Sequence, residues 1–141
     1  MSSKASCISR IVDLGCFKTG EFILSSGKQS SYYLDLRVAA SSPSLLNDIC
    51  ILSVSSFLDL EGIDYVVGVP YGGIPYALII SRITNIPSLI LRKERKPHGM
   101  KNIIEGLSGC KIPSECSVLV VDDVMTTGRS LDMAVETLKN E

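Results

Sequence analysis

The chain has 141 residues, of which 45% are hydrophobic and 21% charged, enough for one domain with a sizeable core and too apolar for a disordered chain. A formal net charge of −1 and a pI of about 5.8 exclude nucleic-acid binding by overall charge, so any basic patch is local. No apolar run reaches the roughly 18 to 20 residues of a membrane span and the N-terminus lacks a signal-peptide core, which makes the cytoplasm the expected location, with no membrane partner.

Five cysteines, Cys7, Cys16, Cys50, Cys110 and Cys116, are odd in number and include no C-x-x-C pair, and His98 is the single histidine. Reduced thiols are expected, and neither a disulfide framework nor a zinc site.

In chain order, Ile8, Ile11, Val12 and Leu14 form a weak helical face that ends near Gly15. Residues 20–27 and 30–37 are β-prone runs around a Gly/Ser turn, which predicts a hairpin or two adjacent strands. Tyr32 and Tyr33 suit core packing and stacking on a flat ring equally. Pro43 after Ser41 and Ser42 marks a helix start with a serine cap, Leu45, Leu46, Ile49, Leu52 and Leu60 supply its buried face, and Gly62 is its stop.

Residues 65–69 are the next candidate core strand, followed by a turn over 70–75, a helix from about Pro75 to Thr84, and a buried strand over 88–91. Strands alternating with helices imply a parallel sheet, whose ligands sit beyond the carboxyl ends of the strands. Gly72 and Gly73 read as tight-turn residues or as a source of exposed N–H groups facing an anion. The strongly cationic run contains Arg92, Lys93, Arg95, Lys96, His98 and Lys101, and Gly106, Gly109 and Pro113 close it. A charge run is commonly a solvated surface or a nucleic-acid patch. Starting at the end of a buried strand, it reads instead as a polyphosphate clamp, with no nucleic-acid partner.

Val118, Leu119, Val120 and Val121 form an unbroken aliphatic run suited to a strand buried on both faces of a parallel sheet. Asp122 and Asp123 follow, then Thr126, Thr127, Gly128, Arg129 and Ser130, then Leu131, Ala134, Val135 and Leu138 at helical spacing. Free N–H groups at a helix start, with nearby hydroxyls, make a phosphate site, and two carboxylates beside it suit a sugar diol or a metal. The alternative is an ordinary βα loop whose Asp and Ser cap the helix.

VLVVDDVMTTGRS resembles the phosphoribosyl-diphosphate motif of the type I phosphoribosyltransferases. Three further stretches resemble the orotate branch, in the form of the N-terminal domain of a eukaryotic UMP synthase. They are Phe22, Leu24, Ser26 and Gly27 with Tyr33, Asp35 and Arg37; then Gly68, Val69, Pro70, Tyr71, Ile74 and Pro75; then Arg92, Lys93, Glu94, Lys96, His98, Gly99, Glu105 and Gly106. The resemblance implies an α/β fold, a Rossmann-like parallel sheet with flanking helices, in a single domain 1–141. Residues 1–40 would form a small N-terminal hood that binds the base, and residues 41–141 an α/β core.

The implied reaction is transfer of the phosphoribosyl group of 5-phospho-α-D-ribose 1-diphosphate (PRPP) to orotate, with Mg²⁺ as cofactor. Lys96, His98, Asp122 and Asp123 would be catalytic. Tyr71, Gly72, Arg92, Lys93, Lys96, His98, Asp122, Asp123, Thr126, Thr127, Gly128, Arg129 and Ser130 would bind PRPP, and Lys28, Gln29, Tyr32, Tyr33 and Thr126 orotate. Mg²⁺ would be held mainly through PRPP, with Asp122 or Asp123 as the protein's own candidate ligands. The resemblance also implies a homodimer sharing the basic loop and, in a longer product, a fused orotidine 5′-phosphate decarboxylase domain. Two departures stand out: bacterial members carry lysines where this chain has Gln29, one place after Lys28, and Gly72.

The family continues beyond the motif helix with further strands and an arginine for the orotate carboxylate, so the reading expects a truncated chain lacking the last strands, with Val118 to Val121 left as an unprotected edge. A purine phosphoribosyltransferase, a non-catalytic PRPP-sensing regulator and an inactive fragment are the alternatives.

Overall fold

The structure, a computed structural model, describes residues 3–24, 26–56, 59–94, 102–107 and 112–141. Packing divides the chain into two compact units, Met1–Ser56 and Phe57–Glu141.

The first unit opens with helix α1, Lys4–Asp13, capped where the Ser3 hydroxyl accepts from Ser6 N at 3.2 Å. It stops in a two-bond C-cap: Gly15 N donates to Val12 O at 2.9 Å and Cys16 N to Ile11 O at 3.1 Å, with Gly15 left-handed at φ 79°. Strands β1, Phe17–Ile23, and β2, Gln29–Leu34, then form the expected antiparallel hairpin, with a register irregularity between Thr19 and Phe22. A 3₁₀ helix, Leu36–Ser41, leads into α2, Pro43–Ser56, which starts at the proline with Leu46 N bonded to Ser42 O at 3.0 Å. Cys7, Cys16, Ala39 and Leu45 make the core, so α2 packs with α1 and the 3₁₀ helix, and this unit extends past residue 40. Arg10 ties α1 to α2, pairing with Asp48 at 2.5 Å and donating to the Ser44 hydroxyl at 2.8 Å.

Helix α2 is shorter than its apolar pattern suggests. Ser53, Ser55 and Ser56 turn their hydroxyls back onto the carbonyls of Ile49 and Leu52, a local bonding that disfavours continuation. Asp59 accepts from Glu61 N at 3.0 Å and Gly62 sits at φ 76°, so Leu60 belongs to a turn and not to the helix face.

The second unit is a sheet in the order β5-β4-β3-β6. Strands β3, Tyr65–Gly68, β4, Ser88–Leu91, and β6, Val118–Val121, run parallel, while β5, Ile104–Glu105, pairs antiparallel with β4. The short β5 falls in a stretch read from sequence as loop, because two residues carry no periodicity. Helix α3, Gly73–Thr84, connects β3 to β4 and starts two residues before Pro75, whose missing N–H falls in the unbonded first turn. Helix α4 spans Arg129–Lys139.

Successive residues of a strand face opposite sides. Val67 and Val69 share a core with Leu89, Leu91, Ile104 and Ala134 of α4, whereas Gly68 packs against the first turn of α3. The sheet is therefore covered on both faces, and its most buried strand is β3, with Val66 and Val67 both at 0% exposure. Each such valine contributes about 1.5 to 3 kcal/mol by burial. This corrects the expectation for β6: all four of its residues are only half-buried, since it pairs with β3 alone among the described strands.

Candidate functional site

The carboxyl ends of β3 and β6 meet through bonds that leave little space. Val69 N donates to Val121 O at 2.8 Å, and Gly73 N donates to Val69 O at 2.9 Å. The turn between β3 and α3 is threaded against the end of β6. A Cβ on Gly68 would lie 2.5 Å from the Gly73 carbonyl, and one on Gly73 would run into Val121 O and stand 3.1 Å from Asp122 Cα. A Cβ on Gly72 would overlap the Asp123 carboxylate. These glycines serve close approach of two backbones. That corrects the anion-facing reading of Gly73, which is buried with its N–H spent inside the fold.

Asp122 and Asp123 sit half-buried at the end of β6, and Asp123 N donates to Asp122 Oδ1 at 2.9 Å. Burial, followed by the hydrogen bond to the Asp123 side chain, pushes the Asp122 carboxyl up to about 6. Thr126 and Thr127 lie exposed in the loop, and Thr127 Oγ1 accepts from Arg129 N at 3.4 Å. Gly128, left-handed at φ 81°, precedes the first turn of α4, so Arg129 and Ser130 are helical and exposed. Leu131, Ala134 and Leu138 turn to the core and leave this helix end outward.

From the end of β4, Lys93 places Nζ 4.6 Å from the centroid of the exposed Tyr71 ring. Arg92 Nη1 lies 3.5 Å from Glu105 Oε1, and Arg92 Nε donates to Glu94 O at 3.3 Å. The second unit thus brings Tyr71 to Lys93 and Gly72 to Asp123. Lys96 and His98 lie outside the described residues.

The residues assigned to the base lie in the first unit. Lys28 and Gln29 are exposed at the hairpin turn, and Gln29 lines a depression of about 460 Å³ with Glu21, Phe22, Ile23, Ser30 and Ser31. Both tyrosines take aromatic partners: Tyr32 stacks on Phe17 at 5.8 Å and Tyr33 tilts on Phe22 at 5.5 Å. Asp35 caps the 3₁₀ helix and holds the Arg37 guanidinium with two bonds of 2.7 and 2.9 Å, which lowers its carboxyl below the usual range.

Mg²⁺ takes one or two protein carboxylates and completes its shell with phosphate oxygens and water. Asp122 and Asp123 match this, and among the described residues no group of three or more His, Cys, Asp or Glu forms a fuller cage. No helix among those residues is long and apolar enough to cross a membrane.

The phosphoribosyl transferase domain family matches residues 44–141. The chain is 42% identical over 135 residues to orotate phosphoribosyltransferase of Caenorhabditis elegans, covering 93% of this chain and 56% of that protein. It is 37% identical over 139 residues to orotate phosphoribosyltransferase of Methanocaldococcus jannaschii, covering 99% of this chain and 76% of that one. The chain belongs to the phosphoribosyltransferase family, on its orotate branch. The solved UMP synthase of Leishmania donovani superposes with a TM-score of 0.82 at 29% identity, over 98% of this chain and 29% of that one. This phosphoribosyltransferase chain spans just over half of the C. elegans relative and about three quarters of the archaeal one.

Glu105, Gly68 and the steric role of Gly73 were not assigned from sequence. The Gly68 to Gly73 segment carried a signal, three glycines within six residues at a strand end. Glu105 carried none beyond its place in a shared motif.

Proposed function

We propose that the chain transfers the phosphoribosyl group of PRPP to orotate, giving orotidine 5′-phosphate and diphosphate in UMP biosynthesis. The observation that carries this is the paired carboxylate at the end of β6, with Asp123 seated against Gly72 and the exposed Thr126–Thr127 loop leading into α4. The orotate phosphoribosyltransferases that the chain resembles support the choice of acceptor.

The C1–O bond to diphosphate breaks as the C1–N bond to orotate forms, the proton on that ring nitrogen leaving to solvent, through a state with positive charge on the ribose and negative charge on the leaving group. Asp122 and Asp123 stabilise the ribose side and accept from its hydroxyls. The loop 126–130 holds the 5-phosphate through N–H and hydroxyl donors. Arg92, Lys93 and Tyr71, with Lys96 and His98, hold the diphosphate. Lys28, Gln29, Tyr32 and Tyr33 of the first unit are the residues offered to orotate. Asp122 and Asp123 would hold Mg²⁺ together with substrate oxygens, and the ion supplies charge neutralisation on the leaving group.

The proposal extends to a homodimer in which one subunit's basic loop serves its neighbour's site, and to a fused decarboxylase domain in a longer product. It extends also to the reducing cytoplasm as the location, where cysteines such as Cys7, Cys16, Cys50 and Cys116 stay as thiols. The test is an acceptor panel of orotate, adenine, hypoxanthine, guanine and uracil with PRPP and Mg²⁺. Consumption of orotate alone is expected, and consumption of a purine with orotate untouched overturns the reading.

A further inference from the structure

Arg92 is the first residue past β4, and the return strand β5 sets what stands next to it. The register pairs Ile90 with Glu105 and Leu91 with Ile104, and Arg92 N donates to Ile103 O at 2.8 Å. This fixes the Glu105 backbone beside the base of the cationic segment. From there the Glu105 carboxylate reaches Arg92 Nη1 at 3.5 Å, a pair in which neither side chain is more than 38% exposed. The guanidinium fork has five N–H donors on three nitrogens in one plane. Nε is engaged by Glu94 O and Nη1 faces Glu105, while among the described residues no bond engages Nη2.

We infer that Glu105 is a positioning residue, which holds the Arg92 guanidinium in one orientation so that its Nη2 edge is offered to the diphosphate of the substrate. This rests on the reading of Arg92 as a diphosphate donor. An arginine hydrogen-bonded at Nε and drawn to a carboxylate at Nη1 by charge has less rotamer freedom left to lose when the ligand arrives, so the anion bears less of that ordering cost. The same carboxylate carries a negative charge close to an anion site, and that charge opposes simple binding. Removing it has opposite effects on the two steps. Ground-state affinity for the polyanion holds or improves, while alignment on the departing diphosphate is lost.

Glu105→Gln keeps the size and the strand pairing and removes the charge, and Glu105→Asp shortens the reach while keeping it. In the full chain, Glu105→Gln is expected to lower kcat by about tenfold with KM for PRPP unchanged or lower, and Glu105→Asp to restore part of kcat. In an Arg92→Ala background the Glu105→Gln effect is expected to vanish. A Glu105→Gln loss of the same size in both backgrounds overturns the inference, as does a parallel rise in KM.

A second readout stands apart from turnover. The side-chain Nε–H signal of Arg92, followed by nitrogen-15 NMR, is expected to shift in Glu105→Gln, and its response to added magnesium diphosphate to weaken. An Arg92 signal indifferent to Glu105→Gln overturns the positioning role whatever the acceptor. If the wild-type chain leaves orotate untouched while Arg92 responds as expected, the acceptor assignment falls and the positioning of Arg92 stands.

Discussion

The Asp123 carboxylate occupies the space in which a side chain on Gly72 would begin. The two residues belong to loops after different strands, so the turn after β3 and the acidic end of β6 act as one packed unit. Gly72→Ala must displace Asp123 or shift the turn, and either moves a carboxylate assigned to the ribose. The expected result is a loss in kcat/KM for PRPP on the order of 10- to 100-fold, or about 1.4 to 2.7 kcal/mol of transition-state stabilisation. Steady-state kinetics check this, and in an Asp123→Ser background, itself impaired by loss of the carboxylate, Gly72→Ala is expected to add little further loss because the space is vacated.

Gly68→Ala is expected to act on stability. Its Cβ would meet backbone atoms of Gly73 and Ile74 at 2.5 to 2.6 Å, and backbone cannot swing aside as a side chain can. A loss of about 3 kcal/mol follows, at the upper end of ordinary overpacking. Urea denaturation with an unchanged m-value would establish it.

Asp122 gives a pH dependence of definite sign. Its folded-state value of about 6 lies above the ordinary 3.8, so the folded chain holds a proton that the unfolded chain releases. Stability contributed by this group is therefore present below about 3.8 and declines as pH rises through about 6. Asp122→Asn removes the decline. The variant is expected to melt higher than wild type at pH 8 and at the same temperature near pH 3.5, while turning over poorly at both. Melting curves across that range test it, and a constant offset between the two proteins would contradict it.

Tyr71 and Lys93 offer a graded test. Tyr71→Phe keeps a ring beneath the ammonium, and Tyr71→Leu does not. An exposed cation–π contact contributes about 0.5 to 1 kcal/mol, so the leucine variant should raise KM for PRPP by about two- to fivefold and the phenylalanine variant hardly at all.

Divalent-ion removal separates the two ends of the substrate. Chelation is expected to stop turnover while leaving ribose 5-phosphate binding within about twofold, because the 5-phosphate is held by N–H and hydroxyl donors of the loop before α4. Calorimetry with ribose 5-phosphate, with and without chelator, measures this.

The legible part of the molecule was whatever neighbouring residues encode. The run from Val118 to Ser130 showed strand, carboxylates, loop and helix in order because all of it is local, and the hairpin, α3 and β4 followed from turn residues and apolar runs. Features that depend on distant partners were hidden. The internal bond of Gly73 depends on where Val69 points its carbonyl. The early end of α2 was visible in principle in its serines, but the apolar spacing through Leu60 outweighed them. The overlap of Gly72 with Asp123 and the pairing of Arg92 with Glu105 are facts of topology.

The pairing of β4 with β5 separates two kinds of change in the gene. Residues alternate sides along β5, so a one-residue slip of β5 against β4 would present a neighbouring residue opposite Ile90 and send the Glu105 carboxylate to the other side of the sheet. Codons gained or lost between the two strands alter only the length of the connection, and chain-closure entropy, which grows slowly with length, resists them weakly. Relatives aligned across this segment should therefore vary in length between the strands while keeping the acidic residue opposite the position of Ile90.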